Sequence, residues 1–595
     1  MNSEIRNCQN CKQSFAVDAN DVAFYERMKV PSPTFCWLCR AQRRFAFRNE
    51  RVLYKRKSDL SGKDIFAMYS PESNVKVYDV SEWLGDGWDP LSYGREVDFS
   101  RPFLEQIKEL LHEVPLKSRN VINSVNSDYV NNITAPKNCY LVFNASNPED
   151  CCYGNAVNFS QDCFDTSHVT KCETCYESFW LTSSAKTYFS SQCDNCFNMW
   201  FSKNCVGCSN CIGCVGLRNK SYHIWNKPYS KDEYNAVLKS LNFGSYGNIK
   251  EFREKSAKFW NRFPVRFMDG LRNSNVSGNY INNSKNVQDS FMVRDGENLR
   301  YCQYLQEGSP GDRDCYDYSI WGDSNQLLYE CHASGVNVNN SKFCLFVQEN
   351  SSDIEYSMVC QNSSNLFGCV ALRHKNFCIL NKQYSEEEYG KLTAKIKKHM
   401  DEMPYVDSNR RIYKYGEFFP IEISPVAYNE SMAQEYFPLT KEEAMAQGYR
   451  WKDMEERNYK VTIPWDKLSD HIDDVTDDIT KEIISCAHEG KCNQLCTTAF
   501  RIIPQELQFY RKIGIPLPRL CPNCRTFERL SQRSGLRINS RQCQCSGNMS
   551  ENSDYKNTIK HFHGDSPCPN DFKTNYGSER PEILYCEQCY QAEVV

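Results

Sequence analysis

The chain has 595 residues, 40% apolar and 25% charged, with a formal net charge of −4 at neutral pH. That balance supports packed cores, excludes wholesale disorder, and supplies no global field for nucleic acid or an acidic membrane. The 33 cysteines, with no signal-like start and no apolar run of about 18 residues, point to a cytoplasmic protein whose cysteines are metal ligands and reduced core thiols.

Residues 1–60 read as a zinc ribbon with a basic helix. Cys8-Gln-Asn-Cys11 is followed, 25 residues after Cys11, by Cys36-Trp-Leu-Cys39. Four thiolates at these spacings suit tetrahedral Zn²⁺ at about 2.3 Å. Each two-residue gap lets one tight turn present two sulfurs, and the long insert brings the pairs together. Beyond the second pair, Arg40, Arg44 and Arg48 fall at four-residue spacing, on one face of a helix. Like charges in a row need anions. Nucleic-acid phosphates would serve, with Phe45, Phe47 and Tyr54 to stack bases. So would the chain's own carboxylates, or a protein partner.

Residues 61–118 form a connector ending in a helix over 101–113. Phe103, Leu104, Ile107, Leu110 and Leu111 share one face of it, placed to cover the first coil of the next domain. Residues 119–241 and 276–397 then read as two copies of one domain. Asp128-Tyr-Val-Asn-Asn132 matches Asn279-Tyr-Ile-Asn-Asn283, and Gly213-Cys-Val-Gly-Leu-Arg218 matches Gly368-Cys-Val-Ala-Leu-Arg373. In the first copy, similar short strands begin near Cys139, Cys163, Tyr188 and Cys211, with polar residues between. A fixed period of about 23 residues favours a parallel β-helix-like solenoid over a sandwich. The fold class expected is therefore mainly β: two duplicated β-solenoids flanked by terminal zinc ribbons, with short capping helices. Capping boxes at Ser230-x-x-Glu233 and Ser385-x-x-Glu388 start a helix after each copy.

Cys205-x-x-Cys208-x-x-Cys211-x-x-Cys214 resembles part of an iron–sulfur run. The second copy argues otherwise, because Ser363 and Leu366 stand where the first has Cys208 and Cys211. Leucine cannot ligate, so these read as stacked core thiols, as do Cys172-x-x-Cys175 and Cys193-x-x-Cys196.

Residues 242–275 connect the copies. Residues 398–485 are a mixed connector ending in an acidic linker with Asp470, Asp473, Asp474, Asp477 and Asp478. Residues 486–541 repeat the first ribbon at a constant offset of 485, which carries Cys11 to Cys496, Phe24-Tyr25 to Phe509-Tyr510 and Cys36-x-x-Cys39 to Cys521-x-x-Cys524. The expected ligands are Cys492, Cys496, Cys521 and Cys524. Arg525, Arg529 and Arg533 repeat the basic row. Residues 542–595 read as a further ribbon in which Cys586 and Cys589 join Cys545 and Cys568, with His561 or His563 able to displace either of the last two. Cys543 is also available.

The pattern Cys-x-x-Cys, Phe, Phe-Tyr, Pro, Cys-x-x-Cys-Arg resembles the bacterial "probable zinc-ribbon" family over a short stretch at each end. The whole chain resembles cysteine-rich bacterial proteins with ribbons at both termini. The resemblance implies zinc and no particular activity.

The expected function is a non-enzymatic zinc-binding scaffold with a protein or nucleic-acid partner, the latter through Arg40, Arg44, Arg48, Arg525, Arg529 and Arg533. No membrane association and no small-molecule substrate is evident. There is no Gly-x-Ser-x-Gly, His-Glu-x-x-His, P-loop or dinucleotide fingerprint. The competing readings are a carbohydrate-directed β-helix enzyme and a purely structural assembly component. The enzyme would need paired carboxylates across a groove, with Asp150, Asp162 and Asp314 as candidates.

Overall fold

The computed structural model describes residues 3–306, 308, 310–453 and 459–594. The chain is mainly β. Two sheets of twelve strands dominate it, one from Val121–Ile122 to Lys227–Pro228 and the other from Gly270–Leu271 to Lys382–Gln383. Neighbouring strands run parallel until the final antiparallel pair of each sheet.

A three-residue rhythm builds the first sheet. Every third residue from Asn132 to Trp225 has positive φ, Gly207, Gly213 and Gly216 among them. Such a conformation is costly for most L-residues and mildest for Gly, Asn and Asp. Asparagine or aspartate accordingly occupies many of these positions, including 132, 138, 144, 147, 150, 162 and 165. The kinks bring each residue beside the one twelve positions on: Phe164 pairs with Tyr176, and Tyr176 with Tyr188. Side-chain amides then stack as ladders. Asn126 donates to Asn138 at 3.0 Å, and Asn138 to Asp150 at 2.9 Å.

The residue after each kink faces inward. The buried interior runs through Cys139, Val142, Ala145 and Cys151 and on to Cys205, Cys208, Cys211 and Cys214. Each of the last four thiols lies against the carbonyl two residues before it; Cys208 Sγ donates to Val206 O at 3.4 Å. Small side chains fit this narrow core, and the S–H is a second, weak donor to a carbonyl that already accepts a backbone N–H, as Val206 O does from Asn219. The central Cys-x-x-Cys series is this rhythm, not a set of metal knuckles.

The second sheet is less regular. Its register steps include Leu328 to Ser341 and Arg300 to Tyr316. Strands Lys285–Arg294, Glu297–Arg300, Arg313–Trp321 and Gln303–Leu305 pair in a closed ring of four. Larger residues, among them Tyr318, Leu328 and Leu366, enlarge its core.

Helices Lys231–Leu241 and Glu386–Glu402 follow the two sheets, each with its capping box formed. The helix Phe103–Glu113 forms with the expected buried face but covers the other sheet. Phe103 sits 5.4 Å from Phe367, and the Cα of Gly368 admits Phe103 and Ile107 where a Cβ would collide. The five aspartates of the acidic stretch are exposed, as expected of a solvated linker, but its apolar residues pack it down as a strap. Ile472, Val475 and Ile479 are buried, Asp470 accepts from the Gly247 N–H at 2.9 Å, and Asp477 pairs with Arg511 at 2.5 Å.

Candidate metal centres

Three cysteine quartets are assembled by one local design. In the first, strands Glu4–Asn7 and Ser14–Val17 pair antiparallel and leave Cys8 and Cys11 in their turn. Cys36 is the N-cap of helix Trp37–Phe45, and Cys39 lies in its first turn. The Cys36 N–H donates to Cys8 Sγ at 3.3 Å, and Cys11 Sγ lies 3.7 Å from Cys36 Sγ. All four sulfurs lie within 4.8 Å of one another. A tetrahedron with bonds of about 2.3 Å has edges of about 3.8 Å, so the group is sized for such an ion.

The second quartet corrects the sequence reading. Its members are Cys486, Cys496, Cys521 and Cys524. Cys486, not Cys492, follows strand Ile484–Ser485 and takes the place of Cys8. The Cys521 N–H donates to Cys486 Sγ at 3.3 Å, as Cys36 does to Cys8. The Cys486 N–H donates to Thr498 O, two residues past Cys496; the Cys8 N–H donates to Gln13 O, two residues past Cys11. A longer loop between the first two ligands displaces Cys492. It sits outside the quartet, 3.7 Å from Cys524, beside His488.

The third quartet repeats both the design and the correction. Cys543, Cys568, Cys586 and Cys589 come together, and Cys545 does not belong to this group. Cys543 follows strand Asn539–Gln542, and its N–H donates to Asn570 O, two residues past Cys568. The Cys586 N–H donates to Cys543 Sγ at 3.1 Å. Cys545 lies instead with His561, His563 and Cys589.

Sulfurs this close compete for protons. Hydrogen bonding with Cys36 holds Cys8 far below the ordinary thiol range and pushes Cys39 far above it. Contact with Cys486 sets Cys521 against Cys524 in the same way, and contact with Cys543 sets Cys586 against Cys589. A divalent cation would relieve that conflict, because it allows all four sulfurs to be thiolates.

The six arginines read as a nucleic-acid surface are all buried. Arg40 reaches Asp317 at 2.6 Å, and Arg44 bonds Asp317 at 3.2 Å and Glu330 at 3.1 Å. Arg525 lies 2.9 Å from Asp165, and Arg529 bonds Asp165 at 2.7 Å. Arg48 bonds Glu50 and Asn144, each at 2.8 Å. Arg533 donates to the hydroxyls of Tyr304 and Tyr436 at 2.9 and 2.6 Å. Arg40 and Arg44 share a face of helix Trp37–Phe45, and Arg525 and Arg529 a face of helix Pro522–Leu530, and these faces turn inward onto carboxylates of distant strands; contrary to expectation, Arg48 and Arg533 lie beyond the helix ends.

The pairing is crosswise. The N-terminal ribbon docks on the second sheet and the ribbon of residues 486–541 on the first, through matching contacts. Arg44 approaches Ser319 at 3.5 Å, and Arg529 approaches Ser167 at 3.4 Å, both in Asp-x-Ser triplets. Phe24 stacks on Tyr316 at 3.8 Å, and Phe509 on Phe164 at 4.1 Å. The third ribbon joins the connector instead, with Ile583–Tyr585 pairing beside Pro264–Arg266.

The carboxylates considered for glycoside chemistry are engaged separately. Asp150 accepts from Asn138, Asp162 pairs with Lys512, and Asp314 meets Arg27 at 3.4 Å. A cavity of about 440 Å³ lies where the first sheet meets the two C-terminal ribbons. Lys203, Arg253, Arg529 and Arg580 line it with Glu177 and Glu582. Two of its carboxylates are already paired, Glu177 with Arg253 and Glu582 with Arg580.

No family model matches the chain, and no curated protein matches it. A solved chain described as "putative acetyltransferase" from Desulfovibrio desulfuricans G20 is 9% identical, over 47% of this chain and 86% of its own, with a TM-score of 0.10. At that score the likeness carries no argument about fold or activity. No helix among the described residues is long and apolar enough to cross a membrane.

Proposed function

We propose that the protein is a non-enzymatic scaffold whose two sheets are duplicated β-solenoids, locked by zinc ribbons and presenting a rigid surface to a protein partner. The crosswise docking carries the reading. A ribbon that spends its arginines on buried carboxylates of the opposite sheet acts as a clamp, and its free energy goes into holding the two solenoids in one arrangement. Clamped solenoids offer an extended surface of fixed shape, which is how stacked-repeat proteins bind partners. Zinc is favoured because thiolate quartets with closed tetrahedral geometry select it over hard cations.

Metal analysis of the purified full chain tests the first half of this reading, with zinc expected to exceed iron. Retention on RNA and DNA columns tests the second. The buried arginines predict no salt-sensitive retention at about 50 mM salt, where phosphate contacts are strong. Retention that falls steeply with salt would restore a nucleic-acid partner.

A further inference from the structure

The three ribbons differ in one respect, the length of chain between their first two ligands. Cys8 and Cys11 are three positions apart, Cys486 and Cys496 ten, and Cys543 and Cys568 twenty-five. The added chain carries extra donors. In the second ribbon it brings His488 and Cys492 to Cys524, a set of three. In the third it brings Cys545, His561 and His563 to Cys589, a set of four whose donor atoms lie within 4.8 Å of one another. Cys589 already belongs to the quartet with Cys543, Cys568 and Cys586.

We propose that the C-terminal ribbon is a dinuclear centre, with Cys589 as a thiolate bridge between a four-sulfur ion and a second ion held by Cys545, His561 and His563. This rests on the reading that the quartets hold metal and adds a site to it. The second site has the spacing of a coordination shell. Cys545 Sγ lies 3.1 Å from His561 Nδ1, and Cys589 Sγ lies 3.4 Å from His563 Nε2. A tetrahedral zinc site with sulfur and nitrogen ligands has sulfur–nitrogen edges of about 3.5 Å.

The surroundings fix both rings for ligation. His561 Nε2 lies 2.8 Å from Glu593 Oε1, and both side chains are fully buried. With the ring proton on Nε2, Nδ1 is left free and aimed at the site. Glu593 is itself held by Tyr555 Oη at 2.8 Å and the Thr558 N–H at 2.9 Å. His563 is set the opposite way. Its Nδ1 lies 2.6 Å from Ser566 O, a pure acceptor, so the proton belongs there and Nε2 faces Cys589. Carboxylate and carbonyl partners of this kind orient metal-bound imidazoles. Asn557 Nδ2 donates to Cys545 Sγ at 3.2 Å, which favours the thiolate. Five thiolates and two neutral imidazoles around two divalent ions leave one net negative charge. The same buried group with a single ion strands Cys545 and both imidazoles without a cation.

The test counts zinc per chain by mass spectrometry of the intact, purified protein, native and substituted. Four ions are expected in the native chain, and one fewer in His563→Ala and in Cys545→Ser. Near-ultraviolet circular dichroism identifies variants that remain folded. A native count of three, or folded variants that keep the native count, overturns the second site. A native count below three speaks against the quartets themselves and so separates the two readings. Any ion held by His488 and Cys492 would raise the total without altering the difference. Cobalt substitution tests the bridge. Spin coupling between two cobalt ions, lost in Cys545→Ser, is expected; four magnetically independent ions would overturn the shared thiolate.

Discussion

At the residue scale, the account rests on which sulfur stands in which position. Cys486→Ser should release the ion of the second ribbon, whereas Cys492→Ser should keep it; zinc content of the two purified variants distinguishes them. The buried ion pairs are equally specific. Asp165→Ala leaves Arg529 buried without its carboxylate and Arg525 with Glu506 alone, and such a loss costs about 3–5 kcal/mol. Urea unfolding would register it as a lowered midpoint. Asp312 supplies a pH signature. Burial pushes its carboxyl up from 3.8 to about 6, against the hydrogen bonds from Asn325. Between those values the folded chain binds a proton that the unfolded chain does not. The group's contribution is therefore greatest below the unfolded value and is lost as pH rises through about 6. Asp312→Asn should flatten the decline in stability between those pH values, by an amount on the order of 2 kcal/mol. Equal slopes in both proteins would refute the assignment.

At the scale of elements, two kinds of Cys-x-x-Cys have different origins. In the ribbons the spacing comes from a knuckle, with the third cysteine capping a helix and donating its N–H to the first. In the first sheet it comes from a kink every three residues that turns every third side chain inward. Cys208→Ser should therefore leave metal content unchanged and alter stability by no more than about 1.5 kcal/mol, because serine still donates to Val206 O. Glycines test the kinks. A Cβ at Gly278 would meet Ser290 O at 1.7 Å, whereas one at Gly216 meets nothing within 4 Å. Gly278→Ala should lower the thermal midpoint well below that of Gly216→Ala. Much of this was legible from the sequence. The period near 23 is two register steps of about twelve residues, and the Ser363 and Leu366 replacements identified the central cysteines as core. Cys486 was not legible, and Cys543 was legible only as an available alternative, because inserts of different length break the spacing from which knuckles are recognised. The signal that does mark them lies in the hydrogen bonding, a contact to the carbonyl two residues past the second ligand. The side chains around His561 and His563 were visible as alternatives, but only the fold shows that they join a second set.

At the scale of the whole molecule, the first two ribbons are placed crosswise, each on the sheet more distant from it in sequence. Arg40 and Asp317 are 277 residues apart, and Arg529 and Asp165 are 364 apart. That is why the basic rows could be placed on helices from sequence while their environment could not: spacing reports a face, not what covers it. The helix Phe103–Glu113 illustrates the same limit, since its apolar stripe was evident but the sheet it covers was not. The central claim is that metal-filled thiolate quartets hold this arrangement together. X-ray absorption at the zinc edge of the purified full chain tests it most directly. The account predicts a first shell dominated by sulfur at about 2.3 Å with a minority of nitrogen at about 2.0 Å. A shell of oxygen and nitrogen, or a folded chain that carries no metal, would contradict it.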